Sequence, residues 1–160
     1  MADFVDLKAP FLADHSRGVA EFAAGAAGRL GLASGEAAAV RRAGLLHDLS
    51  RVAISNAVWD RPGSLSSADL EQVRLHTYVE RFCVRSGWLA PLGTLAGLHH
   101  ERLDGSGVPP RQARRRPHPP GRILAAADCY QAMIQQRPHR PAQAWPLSSY
   151  RGPCRTPHHV

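Results

Sequence analysis

Apolar residues recur at helical spacing through most of the 160-residue chain, and this period constrains the fold more than any other feature. One predicted helix is capped by Ser16 and runs to about Leu30, with an apolar face formed by Val19, Phe22, Ala23, Ala26 and Leu30. Further helices are predicted near residues 34–49, 66–82, 91–100 and 122–135, with Ser66 and Asp69 forming a capping box. Because no segment alternates as a half-buried strand does, we predict an all-α fold.

Two segments rich in proline and arginine do not fit this helical pattern. Residues 109–120 hold five prolines and four arginines, and we expect an irregular insertion there because proline cannot continue a helix. Prolines also recur after residue 138 without an apolar period, which predicts a disordered tail over residues 143–160. The length suits one domain, which we assign to residues 1–142.

The net charge of +7 raises the question of a nucleic-acid partner, so its distribution matters. From residue 109 to the end there are nine arginines against the single acid Asp128, and residues 1–108 are therefore close to neutral. Nineteen of the twenty basic residues are arginine, a bias that GC-rich coding DNA produces without any binding role. We therefore do not expect a nucleic-acid partner.

The chain also lacks the sequence signals of a membrane or secreted protein. No apolar run approaches the roughly 18 residues that cross a bilayer. Asp3 and Asp6 stand where a signal peptide carries basic residues. We therefore expect a cytoplasmic protein that does not interact with a membrane. Its three cysteines form no CxxC pair, which argues against a cysteine-based zinc site.

Histidine and aspartate share the apolar faces of the predicted helices. His47, His76 and Asp128 each lie three or four residues from apolar positions, so we expect them to point inward. A single inward histidine is usually a hydrogen-bonded core residue. Several imidazoles together with carboxylates are costly to bury without compensation. A bound metal ion would offset that cost.

Two adjacent pairs strengthen the metal hypothesis. His47 with Asp48, and His99 with His100, would each present two ligands to a common site. Imidazole and carboxylate without thiolate suit iron, manganese or zinc. Two ions bridged by a carboxylate such as Asp48 would generate a hydroxide at neutral pH, the nucleophile for displacement at phosphorus. The residues alone therefore predict a phosphohydrolase.

These residues belong to a longer ordered series of motifs. The series is His15, His47 with Asp48, His76, His99-His100-Glu101, Asp104 to Pro109, Arg122-Ile123, Ala127-Asp128 and Arg137 to Arg140. It resembles the HD-GYP domain, the bacterial branch of the HD phosphohydrolase superfamily that hydrolyses cyclic di-GMP. The resemblance covers about residues 11–142, with an interruption at 110–120, and residues 56–63 are similar to the family loop that follows the HD pair.

The resemblance implies an HD-type helical bundle around two divalent metal ions. One ion would be held by His15, His47, Asp48 and Asp128, and the other by Asp48, His76, His99 and His100, with Asp48 as the bridge. Phe11 stands where relatives with a third metal ion carry a glutamate, so we expect a binuclear site. Iron or manganese is the favoured metal, with zinc and nickel as alternatives.

The resemblance also implies catalytic and substrate-binding residues. His47, Asp48 and Arg51 are the implied catalytic residues. Those implied to contact a cyclic dinucleotide are Arg51, Gly107, Val108, Pro109, Arg137 and Arg140. Three positions depart from the family pattern: Arg51 replaces a lysine, Val108 replaces the tyrosine of the GYP signature, and Gln131 replaces an aspartate.

The favoured hypothesis is that the protein is a metal-dependent phosphodiesterase that converts cyclic di-GMP to pGpG or GMP. The three departures leave open a catalytically impaired module that binds metal or nucleotide and transmits a signal. An HD nucleotide phosphohydrolase with another substrate is a further alternative. In longer relatives such domains precede a helix-turn-helix module, which implies a signalling partner or a regulatory domain.

Overall fold

The computed structural model describes residues 2–8, 12–59, 64–102 and 118–136. Within these ranges the α-helices are α1 (Ala2–Asp6), α2 (His15–Arg29), α3 (Ser34–Leu46), α4 (Asn56–Trp59), α5 (Ser67–Arg74), α6 (Glu80–Cys83), α7 (Ala90–Ala96) and α8 (Pro119–Ile134). Two 3-10 helices, Leu49–Ala53 and Leu75–Tyr78, lie between them. No strand occurs among the described residues, and the prediction of an all-α fold is confirmed.

The three longest helices form the centre of the fold. α2 packs against both α3 and α8, and α7 packs against α3. Their buried apolar contacts include Val19, Ala23, Val40, Ala43, Leu124 and Ala127. A Cβ atom added to Gly44 would lie 2.8 Å from the Cα atom of Ala20, so α2 and α3 can approach this closely only with glycine at that position. This close packing places the start of α2 beside the end of α3.

The prediction that Ser16 caps the second helix is wrong. The helix begins one residue earlier, at His15, after Asp14 adopts a left-handed conformation with φ of 61°. The backbone N–H and the hydroxyl of Ser16 donate to the Asp6 carboxylate at 3.1 and 2.7 Å. A carboxylate on α1 therefore satisfies an amide that a local cap would otherwise bind, and it couples α1 to the start of α2.

Three predicted helices are shorter than the apolar pattern suggested. α3 starts at Ser34 as predicted but ends at Leu46, and α7 ends at Ala96. The segment from 66 to 82 is divided into α5, a 3-10 helix and α6. Sequence periodicity cannot detect such changes, because α and 3-10 helices have similar periods over a few residues. The histidines lie close to these breaks.

The capping box predicted for the helix after Ser66 is confirmed. The hydroxyl of Ser66 accepts from the backbone N–H of Asp69 at 3.2 Å, and the Asp69 carboxylate accepts from the backbone N–H of Ser66 at 3.1 Å. This reciprocal pair satisfies two amides at the start of α5.

Two large apolar residues of the predicted apolar face are exposed. Phe22 and Leu30 have 40% and 67% of their surface accessible. Leu30 lies just beyond the last residue of α2. Phe22 lies at the rim of the contact with α8, where its ring packs edge-on against Tyr130 with 4.8 Å between centroids. The helices packed on α2 cover its Val19 side, so its predicted apolar stripe is wider than its buried face.

α8 begins at Pro119, three residues before its predicted start. Residues 119 and 120, which were expected to be irregular, therefore form its first turn. Proline is compatible with that turn because the amides there have no acceptor within the helix. The rest of the predicted insertion, 109–117, and the predicted tail, 143–160, lie outside the described residues.

None of the described helices combines the length and apolar character needed to cross a membrane.

Candidate metal centre

The structure brings together all seven residues that were predicted to bind metal. His15 is the first residue of α2, and His47 and Asp48 directly follow α3. His76 lies in the second 3-10 helix, His99 and His100 follow α7, and Asp128 lies in α8. Six of the seven are buried and His100 is half-buried.

A first cluster consists of His15, His47 and Asp128 around one oxygen of Asp48. His47 Nε2 lies 3.1 Å from Asp48 Oδ2, and His15 Nε2 lies 3.8 Å from the same oxygen. Asp128 Oδ1 lies 3.2 Å from His15 Nε2 and 3.8 Å from His47 Nε2. The side chains of His15, His47 and Asp48 offer ligand atoms that all lie within 4.8 Å of one another, a spacing that a metal ion could occupy.

A second cluster consists of His76, His99 and His100. Their ligand atoms also lie within 4.8 Å of one another, and the Nε2 atoms of His76 and His100 are 2.9 Å apart. His76 Nε2 and His99 Nε2 each lie 3.9 Å from Asp48 Oδ1. One oxygen of Asp48 therefore faces the first cluster and the other faces the second.

Backbone carbonyls orient three of the histidines. His47 Nδ1 lies 2.8 Å from the carbonyl oxygen of Gly44, and His99 Nδ1 lies 2.6 Å from that of Ala96. His76 Nδ1 bonds in the same way to the carbonyl of Val73. A carbonyl can only accept, so each Nδ1 carries a proton, and whenever the ring is neutral its Nε2 presents a lone pair to the centre.

Several buried polar atoms in the centre have no hydrogen-bond partner among the described residues. They are His47 Nε2, His99 Nε2 and both carboxylate oxygens of Asp48. His47 Nε2 is close to Asp48 Oδ2 but is not aligned to bond with it. Unsatisfied buried groups are rare in folded proteins because each carries a desolvation cost. Lone pairs that converge on two points fit divalent metal ions, so the residues present are suited to the implied metals.

The charges of the metal-free centre shift the pKa values of its groups. Burial alone would lower the pKa of His47, but the charges of Asp48 and Asp128 outweigh it and raise that pKa to about 9. Burial, together with the charge on His47, lowers the pKa of His99 to about 3. Against the effect of burial, the Arg51 and His47 charges hold the pKa of Asp48 well below its usual range. Without metal, the centre therefore contains ionised carboxylates, a protonated His47 and a neutral His99.

Arg51, which was predicted to be catalytic and to contact the substrate, lies at the edge of the centre. It is buried, and its Nε atom lies 2.9 Å from Asp48 Oδ1. Its guanidinium group lies over the Trp59 ring, 5.0 Å from the centroid. Trp59 was not predicted to take part, because nothing in the sequence shows that it stacks on Arg51.

The other predicted substrate residues, Gly107, Val108, Pro109, Arg137 and Arg140, lie outside the described residues and stay predictions. Phe11 lies outside them as well. Gln131 is among the described residues, and its side-chain amide packs against Gly18. A Cβ atom added to Gly18 would lie 2.3 Å from that amide. Sequence reasoning missed the role of Gln135, whose amide contacts His15 across 120 residues of chain. A single sequence carries no signal for that contact.

Comparison with known proteins gives a consistent set of relatives. Residues 1–146 match the HD domain family. The chain is 36% identical to the 3'3'-cGAMP-specific phosphodiesterase 3 of Vibrio cholerae, over 86% of this chain and 30% of the relative. It is 35% identical to the 3'3'-cGAMP-specific phosphodiesterase 1 of the same organism, over 88% of this chain and 33% of the relative.

A further relative is the cyclic di-GMP phosphodiesterase response regulator RpfG of Xanthomonas campestris pv. campestris. It is 31% identical over 76% of this chain and 32% of the relative. The chain thus spans about a third of the length of the curated relatives it matches.

Proposed function

Because this chain belongs to the HD domain family, we propose that it is a metal-dependent phosphodiesterase that hydrolyses a cyclic dinucleotide. The observation that carries the proposal is the position of Asp48. Its two carboxylate oxygens face two separate groups of imidazoles, at 3.1 to 3.8 Å on one side and 3.9 Å on the other. A carboxylate in that position is suited to bridge two metal ions.

The proposed ligands divide between the two clusters. His15, His47, Asp48 and Asp128 would hold one ion, and Asp48, His76, His99 and His100 would hold the other. When bound, a pair of divalent ions lowers the pKa of water and neutralises charge on a phosphoryl group. Nitrogen and oxygen donors without sulfur favour iron or manganese, and zinc or nickel are the alternatives.

We propose that Arg51 orients a substrate phosphate. Its side chain is held between Asp48 and the Trp59 ring, and its Nη1 atom is buried with no hydrogen-bond partner among the described residues. A guanidinium fork donates well to phosphate oxygens. Because the group is already ordered, substrate binding would cost little side-chain entropy. His47 and Asp48 would act through the metals they hold.

The names of the relatives support a cyclic dinucleotide as the substrate class, since two are described as cGAMP-specific and one as a cyclic di-GMP phosphodiesterase. We propose cyclic di-GMP, cleaved to pGpG or GMP, as the first substrate to test and 3'3'-cGAMP as the second. Gly107, Val108, Pro109, Arg137 and Arg140 remain the proposed contacts to the nucleotide. A signalling partner or regulatory domain is proposed because the matched segment makes up only about a third of each of these relatives.

One observation favours a second function, that of a catalytically impaired binding module. Arg51 Nε lies 2.9 Å from Asp48 Oδ1, the oxygen that faces the second cluster. A cation in that position competes with a metal ion for the same oxygen. If the competition prevents the second ion from binding, the centre keeps one metal ion and loses the two-metal arrangement used for displacement at phosphorus.

The deciding experiment measures metal content and hydrolysis on the same preparation. The purified chain is loaded with Mn²⁺ or Fe²⁺, incubated with cyclic di-GMP or 3'3'-cGAMP, and its products are separated by chromatography. We expect two metal ions per chain and cleavage of at least one substrate. Asp48→Asn should abolish both, whereas Asp3→Asn, which removes an exposed carboxylate paired with Arg17, should change neither. Full metal occupancy without cleavage of either substrate would refute the enzyme proposal, and one metal ion per chain without cleavage would support the binding module.

A further inference from the structure

His15 differs from His47, His76 and His99 in how its ring is oriented. Each of those three bonds through Nδ1 to the carbonyl three residues earlier: Gly44, Val73 and Ala96. Such carbonyls are available because the last turn of a helix leaves its C=O groups without intrahelical partners. His15 is instead the first residue of α2, and its Nδ1 atom contacts a side chain from elsewhere in the fold.

Gln135 supplies that acceptor from the end of α8. Its Oε1 atom lies 2.8 Å from His15 Nδ1, and its Nε2 atom donates to the carbonyl oxygen of Ala13 at 3.1 Å. The Ala13 carbonyl can only accept, which places the NH₂ group of Gln135 on that side. Oε1 therefore faces His15, and His15 donates to it from Nδ1. With Nδ1 protonated in this way, Nε2 would offer its lone pair to a metal ion in the first cluster, whereas without metal Nε2 faces the Asp128 carboxylate, which is also an acceptor.

The same helix also holds the other nitrogen of this ring. His15 Nε2 lies 3.2 Å from Oδ1 of Asp128, which precedes Gln135 by seven residues on α8. Two turns of a helix return a side chain to nearly the same face, so Asp128 and Gln135 contact opposite edges of one imidazole. α8 thus provides both a proposed ligand and the group that orients a second ligand.

We propose that Gln135 is a positioning residue of the metal centre, which sets the tautomer of His15 and thereby tunes the first cluster alone. The inference rests on the proposed metal centre and adds a residue to it. Groups that orient a metal-binding histidine typically contribute about 10- to 100-fold in metal affinity. Backbone carbonyls orient His76 and His99 of the second cluster, and none of the Gln135 contacts shown reaches that cluster, so its affinity should not depend on Gln135.

Metal binding to three variants tests the selectivity of this effect. Gln135→Leu removes the acceptor with little change in size, Gln135→Glu keeps an acceptor, and Gln136→Leu is the matched control at the exposed neighbouring position. Calorimetric titration with Mn²⁺ should show that Gln135→Leu weakens one of two sites by about 10- to 100-fold and leaves the other unchanged. Equal weakening of both sites, as expected from a general loss of structure, or no weakening at all would overturn the proposal.

A second measurement uses the metal-free protein and is independent of metal binding. ¹⁵N NMR at alkaline pH distinguishes the two neutral tautomers of a histidine. The wild type, the Gln136→Leu control and Gln135→Glu should all show more of the His15 proton on Nδ1 than Gln135→Leu does, because in these three an acceptor at Nδ1 competes with Asp128 Oδ1 at Nε2. Gln135→Leu should shift His15 toward the other tautomer. An unchanged tautomer in Gln135→Leu would overturn the role of Gln135, whereas a wild type that binds no metal would overturn the proposed function.

Discussion

Asp48→Asn tests whether one carboxylate both bridges the metal ions and compensates the charge of Arg51. Asparagine keeps the shape of aspartate but is neutral, so it can neither bridge two cations nor balance the guanidinium 2.9 Å away. Both side chains of this pair are almost fully buried, with 2% and 4% of their surface accessible. Removing one partner of a buried ion pair costs about 3 to 5 kcal/mol, because it leaves the other charge unpaired.

That cost must be separated from the loss of metal, since a domain of this size has about 5 to 15 kcal/mol of stability in total. The double variant Asp48→Asn/Arg51→Met removes the unpaired cation. Replacing a buried pair by groups of similar shape is often close to neutral, so most of the stability should return. Metal content should remain near zero, because the bridging carboxylate is still absent.

The chain offers a matched control for this comparison. Glu71 and Arg74 form an ion pair with the same spacing of three residues, but with 69% and 45% of their side chains exposed. Glu71→Gln should cost at most about 1 kcal/mol, because water screens a surface pair. Urea unfolding in the presence of a chelator gives the free energies, and elemental analysis of protein purified with Mn²⁺ gives the metal content. Full metal content in Asp48→Asn, or a double variant as unstable as the single one, would refute the reasoning.

Metal affinity should rise with pH between about 7 and 9, because His47 has a pKa of about 9 and must lose a proton before it binds metal. Calorimetry in buffers of different ionisation enthalpy should detect the released proton. The stability of the metal-free fold should change with pH in the opposite direction. The raised pKa of His47 contributes stability that is present below pH 6.5 and lost as the pH rises through about 9. Urea unfolding at several pH values measures this loss. Trp59→Leu should lower the free energy of unfolding by about 1 to 2 kcal/mol more than Trp59→Phe, because only phenylalanine keeps an aromatic face for Arg51. Equal losses of stability in the two variants would exclude a stacking contribution. Deleting residues 145–160 should leave metal content and hydrolysis nearly unchanged, and a large loss would show that this segment packs on the domain. The double variant Val108→Tyr/Arg51→Lys, which restores the family residues, should increase cyclic di-GMP turnover, because misplacing the substrate by about 1 Å can cost on the order of a hundredfold in rate. Unchanged turnover would show that these positions do not limit the rate.

Much of the fold followed from residue types and their spacing. The helical period predicted the all-α class, and Ser66 with Asp69 marked the start of α5 because a capping box is a local interaction. The start of α2 could not be predicted in the same way. Ser16 has the side chain of a cap, but the Asp6 carboxylate from another helix bonds to it instead. Likewise, Phe22 shows that helical spacing predicts an apolar stripe without showing how much of it a neighbour covers.

The residue types and their spacing were enough to predict the members of the candidate metal centre. Buried imidazoles and carboxylates need compensation wherever they are placed, so their inward positions already indicated a common site. The arrangement of that site depends on how the helices pack. Helix packing directs the two oxygens of Asp48 toward different clusters, places Arg51 against one of them, and brings Gln135 to His15 across 120 residues. These contacts depend on the relative position of elements that are distant in the chain, and local spacing carries no information about that position.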